Sequence, residues 1–256
     1  MRRRVAIPIL IALLAIGCTA ISRAEKRQVQ GLRVSFEAGF SPHALPRTDP
    51  APVKVEVEGQ ISTVDGSHPP PLRWLELEIN RNGVLSGEGL PVCKASTLQS
   101  TSTGTALNRC GSALVGRGSF KAQAALGREV GSAGQILAFN SRRKGRPALL
   151  LHLFASVPVR FTLVVPLVIE KKAKGQFGTL LKAKIPPIGG IVSVTQIGLE
   201  LERRYSYKGE RRSYASAACS APKTLPGAVF KFAKGRFRFE GHRTVEMILT
   251  KDCVVR

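Results

Sequence analysis

The chain of 256 residues carries 39 Lys and Arg against 17 Asp and Glu, a formal net charge of +22. That length gives one large β domain, or two small ones, enough chain to bury a sizeable core without relying on disulfides for want of size. Five cysteines with no C-x-x-C spacing leave no basis for a zinc ribbon or a dithiol redox centre.

At the N-terminus, Met1-Arg2-Arg3-Arg4 precedes an apolar run from Val5 to Gly17, followed by the small and polar stretch Cys18 to Ala24. This layout predicts a secretory signal peptide over 1–24, cleaved after Ala24. The run is shorter than the roughly 20 residues a membrane-spanning helix needs, and Pro8 interrupts it. A lipoprotein reading would acylate Cys18, but Ala15-Ile16-Gly17 lacks the large aliphatic residue wanted three positions upstream. The expectation is an exported protein, extracellular or associated with the cell envelope, with no transmembrane span in its mature chain. Four cysteines then remain, Cys93, Cys110, Cys219 and Cys253, an even number suited to two bridges in an oxidising compartment. Three connectivities are open, and pairing of the nearest in sequence is expected. The leader holds four Arg and no acid, so the mature charge is +18. Residues 25–128 hold 12 basic and 9 acidic side chains and residues 129–256 hold 23 and 8, so one half carries nearly all of the field.

Past the leader, period-two alternation recurs: Leu32, Val34, Phe36; Val53, Val55, Val57; Leu75, Leu77, Ile79; Ile197, Leu199, Leu201. Such runs predict half-buried strands. Breakers between them include Pro69-Pro70-Pro71, Asn82-Gly83, Pro186-Pro187 with Gly189-Gly190, and Pro226-Gly227. The fold class is therefore all-β, an antiparallel sandwich or a meander-type barrel. One short helix is predicted at about Thr103 to Val115, where Leu107, Cys110 and Leu114 recur at helical spacing. The chain reads as a single β-rich domain over 25–256, or as two sub-lobes dividing near 128–134. The long apolar stretch Ala148 to Ile169 is broken by His152, Pro158, Arg160 and Pro166 and is rich in β-branched residues. Two core strands joined near Ser156-Val157-Pro158 fit it better than a transmembrane helix.

From Gly134 onward the pattern suggests consecutive antiparallel strands at about 134–141, 147–155, 160–170, 178–185, 191–206 and 211–217. Up-and-down topology would gather every second connection at one end. Those connections hold the candidate anion-binding residues: Arg142, Arg143, Lys144 and Arg146; Lys171, Lys172 and Lys174; Lys208, Arg211 and Arg212. The same counting sends the 219–226 connection to the opposite end and returns a strand over 228–239 to the basic end at Gly241. A last strand then brings Cys253 to Cys219. The apolar phase slips between Phe230, Phe232 and Phe237, Phe239, which predicts a bulge at Gly235.

Candidate chemistry is sparse. Asp65-Gly66-Ser67-His68 collects an acid, a hydroxyl and an imidazole, but a run of neighbours before three prolines reads as a turn. His43, His68, His152 and His242 lie far apart without metal-ligand spacing, and Glu56 with Glu58 and Glu76 with Glu78 fit a solvated strand face. No catalytic residue, cofactor or metal is assigned. The strings Ile61-Ser62-Thr63-Val64-Asp65-Gly66-Ser67-His68-Pro69-Pro70, Gly89-Leu90-Pro91-Val92-Cys93, Ala113-Leu114-Val115-Gly116, Leu137-Ala138-Phe139-Asn140 and Pro226-Gly227-Ala228-Val229-Phe230 resemble those of a group of uncharacterised exported actinobacterial proteins. The resemblance covers most of the mature chain; it implies export and a compact extracellular fold, and it carries no activity.

The leading expectation is a non-enzymatic envelope protein whose basic end binds anionic envelope polymer or lipid headgroups, with no nucleic acid as partner. The alternatives are a secreted hydrolase and an exported lipid carrier, in which Ala148 to Ile169 would wall an apolar cavity.

Overall fold

Apart from Val53, which lies between two strands, the four alternating runs fall on strands in a computed structural model that describes residues 24–125, 127, 129–158, 160–188 and 192–256. The expected leader up to Arg23, with Cys18, lies outside the described residues. In chain order the strands are β1 (Glu25–Val29), β2 (Leu32–Ser41), β3 (Ala44–Leu45), β4 (Ala51–Pro52), β5 (Lys54–Thr63), β6 (Leu72–Asn80) and β7 (Gly83–Leu85). A helical excursion follows, α1 (Ala95–Leu98) and α2 (Thr103–Cys110). The remaining strands are β8 (Leu114–Ala125), β9 (Glu129–Arg143), β10 (Arg146–Ala155), β11 (Phe161–Lys171), β12 (Phe177–Lys184), β13 (Val192–Leu201), β14 (Arg204–Tyr207), β15 (Glu210–Ser213), β16 (Ala215–Ala217), β17 (Gly227–Phe239) and β18 (Thr244–Val255).

Thirteen strands form one sheet in the order β1-β2-β5-β13-β8-β9-β10-β11-β12-β6-β17-β18-β3, antiparallel except for the β18–β3 pair. Its margins curl toward each other. The Glu25 carboxylate on β1 accepts from the Ile248 amide on β18 at 2.8 Å. Across the interior, Phe36 meets Phe237 edge to face with ring centroids 5.3 Å apart. The result is an all-β fold closing toward a barrel, with the inward residues of both halves facing one interior.

The helical excursion explains why 148–169 is apolar on both faces. Leu149, Leu153, Leu163 and Val165 belong to the interior, whereas Leu137, Phe139, Leu150 and Val164 pack outward under Leu98, Ala106 and the Cys93–Cys110 disulfide. Helix α2 ends at Cys110 and gives way to a 3-10 turn over Gly111–Ala113, so it is shorter than its apolar spacing predicts.

The even meander is corrected at β13. It leaves β12 and inserts between β5 and β8 instead of pairing with its predecessor. The 211–217 segment is likewise no strand of the large sheet: β14 and β15 form a separate hairpin, and β16 joins β4 and β7 in a small sheet. Strand directions still place the β9–β10 turn, the β11–β12 turn and the end of β13 at one end, here the lower end. Because 211–217 never crosses the large sheet, the strand count changes parity. Strand β17 starts at this lower end, so the 219–226 connection lies there, and Gly241 lies at the upper end, the reverse of expectation. Two of the cysteines still meet: Cys219 and Cys253 are bonded. The bulge falls at Phe232, between Lys231 and Ala233, and not at Gly235. There, a side chain would strike the Phe237 ring, so glycine answers packing and not register.

Candidate functional site

Packing differs between the two ends of the interior. The lower half is filled by Leu45, Val53, Leu85, Val115, Leu201, Tyr214 and Leu249, beside the Cys219–Cys253 bridge. The upper half holds a cavity of about 140 Å3. Its walls come from the upper ends of the strands: Val34 and Phe36 on β2, Val57 and Ile61 on β5, Leu72, Leu75 and Leu77 on β6, Leu151 and Leu153 on β10, Leu163, Val165 and Leu167 on β11, and Val192, Val194 and Ile197 on β13. Several of these, among them Val57, Leu75, Leu77, Leu151 and Val194, stay only half-buried although they point inward. The volume is close to that of an apolar cavity of roughly 150 Å3 that stays dry and takes up benzene.

One ladder of the sheet is incomplete beside this cavity. Strands β10 and β11 pair from Ala148↔Val168 to Ala155↔Phe161, but β11 and β12 pair over only four positions, Val168↔Lys182 to Lys171↔Thr179. Above Val168 the ladder between them stops, and β12 itself ends two residues on, at Lys184. Pro166, which has no backbone donor, sits in this unpaired stretch, where a strand tolerates proline. Outside the split lies a groove of about 560 Å3 lined by Ala95, Gln99, Ser141, Arg142, Arg143, Val164, Pro166, Lys184, Pro186 and Pro187. Pro186 borders both the groove and the interior cavity.

The ten candidate cations divide by their partners. Arg146 pairs with Glu170 at 3.0 Å and Lys172 with Glu78 at 3.1 Å. Arg212 pairs with Glu88 at 3.0 Å and Glu210 at 3.1 Å. The Lys171 ammonium lies 3.4 Å from the Thr179 hydroxyl, and Lys208 stands over the Tyr207 ring at 5.4 Å. Arg142, Arg143, Lys144, Lys174 and Arg211 have no acidic partner among the described residues. Glu76 and Glu78 lie on the solvated face, in a lattice where Arg236 bridges Glu76 and Glu246 and Lys182 shares Glu170 with Arg146. Hydrogen bonding to Lys182 holds the Glu170 carboxyl below its usual range, and Lys234 with Arg236 does the same for Glu246.

The Asp65 to His68 run is a turn. Asp65 accepts from the Ser67 amide at 3.0 Å and the Ser67 hydroxyl at 2.6 Å, which lowers its carboxyl's pKa. His68, however, joins a chain absent from any local motif: its Nδ1 lies 3.2 Å from the Glu129 carboxylate and its Nε2 lies 3.1 Å from the Ser193 hydroxyl. The proton direction opposes nucleophilic catalysis. Ser193 Oγ donates to the Pro69 carbonyl at 2.6 Å, so it cannot also give its only proton to the imidazole. It is 2% exposed. The chain therefore ties the 64–71 loop to β13. Ser193→Ala should lower stability by about 1–3 kcal/mol in urea unfolding, since it leaves the Pro69 carbonyl without its partner. Covalent labelling of Ser193 by a fluorophosphonate probe would overturn this assignment and restore a hydrolase.

His152 is fully buried under the helical excursion. Thr101 donates its hydroxyl to the Leu98 carbonyl, so His152 Nε2 must be the donor, to the Thr101 carbonyl and hydroxyl oxygens, both at 3.0 Å. Its Nδ1 has no partner. Desolvation lowers its pKa from the ordinary 6.5. The unfolded chain thus binds the extra proton first, and stability present above 6.5 is lost as pH falls from there toward the depressed folded value. Replacing His152 with Gln should flatten the slope of urea-unfolding free energy with pH in that window; an unchanged slope would refute the assignment.

Among the described residues, no cluster of His, Cys, Asp or Glu could hold a metal ion, and no helix is long and apolar enough to cross a membrane. No protein-family model, curated protein or solved structure matches the chain. Sequence reasoning missed Lys184, Ser193 and Glu129 as neighbours of anything functional. Each needs a long-range pairing to acquire its surroundings.

Proposed function

We propose that this protein is an exported carrier that binds one slim apolar ligand, such as a single hydrocarbon chain, in the upper half of its curled sheet. The observation that carries this reading is the 140 Å3 cavity walled almost wholly by apolar side chains in the upper half of the interior. An apolar ligand there would remove half-exposed Val, Leu and Ile surface from water. Catalysis has less support, because the Ser193, His68 and Glu129 chain spends its serine proton on a backbone carbonyl. Binding of polyanions by the basic end as a whole is also weaker than its composition suggests, since Arg146, Lys172 and Arg212 are already ion-paired within the chain. Two disulfides suit an oxidising, extracellular compartment.

The test is displacement of a fluorescent fatty-acid analogue by dodecanoate, followed by titration. Saturable binding at one site per chain is expected. Absence of saturable binding of either compound would refute the reading.

A further inference from the structure

Three cations border the outer groove beside the end of the β11–β12 ladder: Arg142, Arg143 and Lys184. All three are exposed, and none has an acidic partner among the described residues. Their surroundings are different. Within the same sheet region Arg146 and Lys182 share Glu170, and Lys172 is neutralised by Glu78. Basic residues kept only for solubility would show no such division between groove and lattice. Beside Gln99 and Ser141, the groove's wall is apolar at Val164, Pro166 and Pro186, and Pro186 also borders the interior cavity.

We infer that Arg142, Arg143 and Lys184 bind the anionic head of a single-chain amphiphile whose tail passes between β11 and β12 into the cavity. The inference rests on the carrier reading and adds the chemistry of the head. A chain lying through the split would place its charged end in the groove that these three cations line and its carbons among Leu163, Val165 and Leu167. Guanidinium groups suit this task because their forked donors match a carboxylate or phosphate in two bonds at once. The unbroken ladder between β2 and β5, ten pairs from Leu32↔Thr63 to Ser41↔Lys54, gives no comparable passage on that side.

Dodecanol, dodecanoate and dodecyl phosphate present one tail with a neutral, a carboxylate or a phosphate head, and calorimetric titration compares them. The parent protein should bind at least one anion about tenfold or more tightly than dodecanol, with a preference that shrinks as salt rises. The anion with the larger gain identifies the head. In the triple variant Arg142→Gln, Arg143→Gln, Lys184→Gln the preference should vanish while dodecanol affinity stays unchanged, which also shows that the variant is folded. Lys144→Gln with Lys208→Gln, outside the groove, should leave the preference intact. Equal affinity for all three compounds in the parent, or a preference that survives the triple variant, would overturn the inference and leave the carrier reading standing. No binding of any compound would overturn both.

Discussion

Filling the cavity should raise stability and abolish ligand binding together. Val57→Phe and Val194→Phe each place a ring into the space from neighbouring strands of the wall, β5 and β13. A ring that covers part of the half-exposed aliphatic wall should add about 1 kcal/mol in urea unfolding of the ligand-free protein. Affinity for dodecanoate should fall about a hundredfold or more, because the added ring and the chain compete for one volume. These opposite signs separate a binding site from a packing defect. A loss of stability with unchanged affinity in both variants would mean that the space is not where the ligand sits. Overpacking costs of about 1–3 kcal/mol limit how far the gain can be pushed, so the two single variants are more informative than their combination.

The second large effect belongs to the disulfides. Cys219 and Cys253 are 34 residues apart and Cys93 and Cys110 are 17 apart. In the chain-entropy model those loops contribute about 4 and about 3 kcal/mol. Their places in the fold separate them further. The Cys219–Cys253 bridge ties the end of β18 to the floor beneath the cavity, so Cys219→Ser with Cys253→Ser should loosen the interior and weaken dodecanoate binding. The Cys93–Cys110 bridge secures only the outer layer over Leu137, Phe139, Leu150 and Val164. Its removal should cost stability and leave dodecanoate affinity within about twofold, the interior wall being unaltered. Urea unfolding and titration of the two double variants test this; equal loss of affinity in both would contradict the division into wall and cover.

Local signals predicted local structure well and long-range order poorly. Alternation at Leu75, Leu77 and Ile79 or at Ile197, Leu199 and Leu201 reports that a strand has one apolar face, and both became strands. The β-branched content of 148–169 separated two strands from one helix, and the split fell near Pro158 as expected. What covers each face was beyond reach: Leu150 and Leu151 look alike in sequence, yet one packs under the helical excursion and the other lines the cavity. Pairing of β13 with β5 and β8 had no local signature, because consecutive strands are neighbours only about two-thirds of the time. The short β14–β15 hairpin, which keeps 211–217 out of the large sheet, reversed the ends assigned to Gly241 and to the 219–226 connection. The cavity was equally hidden, since an aliphatic residue facing a void and one facing a packed core obey the same alternation. Lys184 carried no special signal either. Its place beside the groove follows only from where β12 ends against β11.

The most direct measurement is a crystal structure of the protein with dodecanoate brominated at its terminal carbon, read by anomalous scattering. The account predicts one bromine peak inside the curled sheet, among Leu77, Leu163 and Val194, with the carboxylate emerging between β11 and β12. A peak confined to the outer surface, with the interior unchanged, would contradict it.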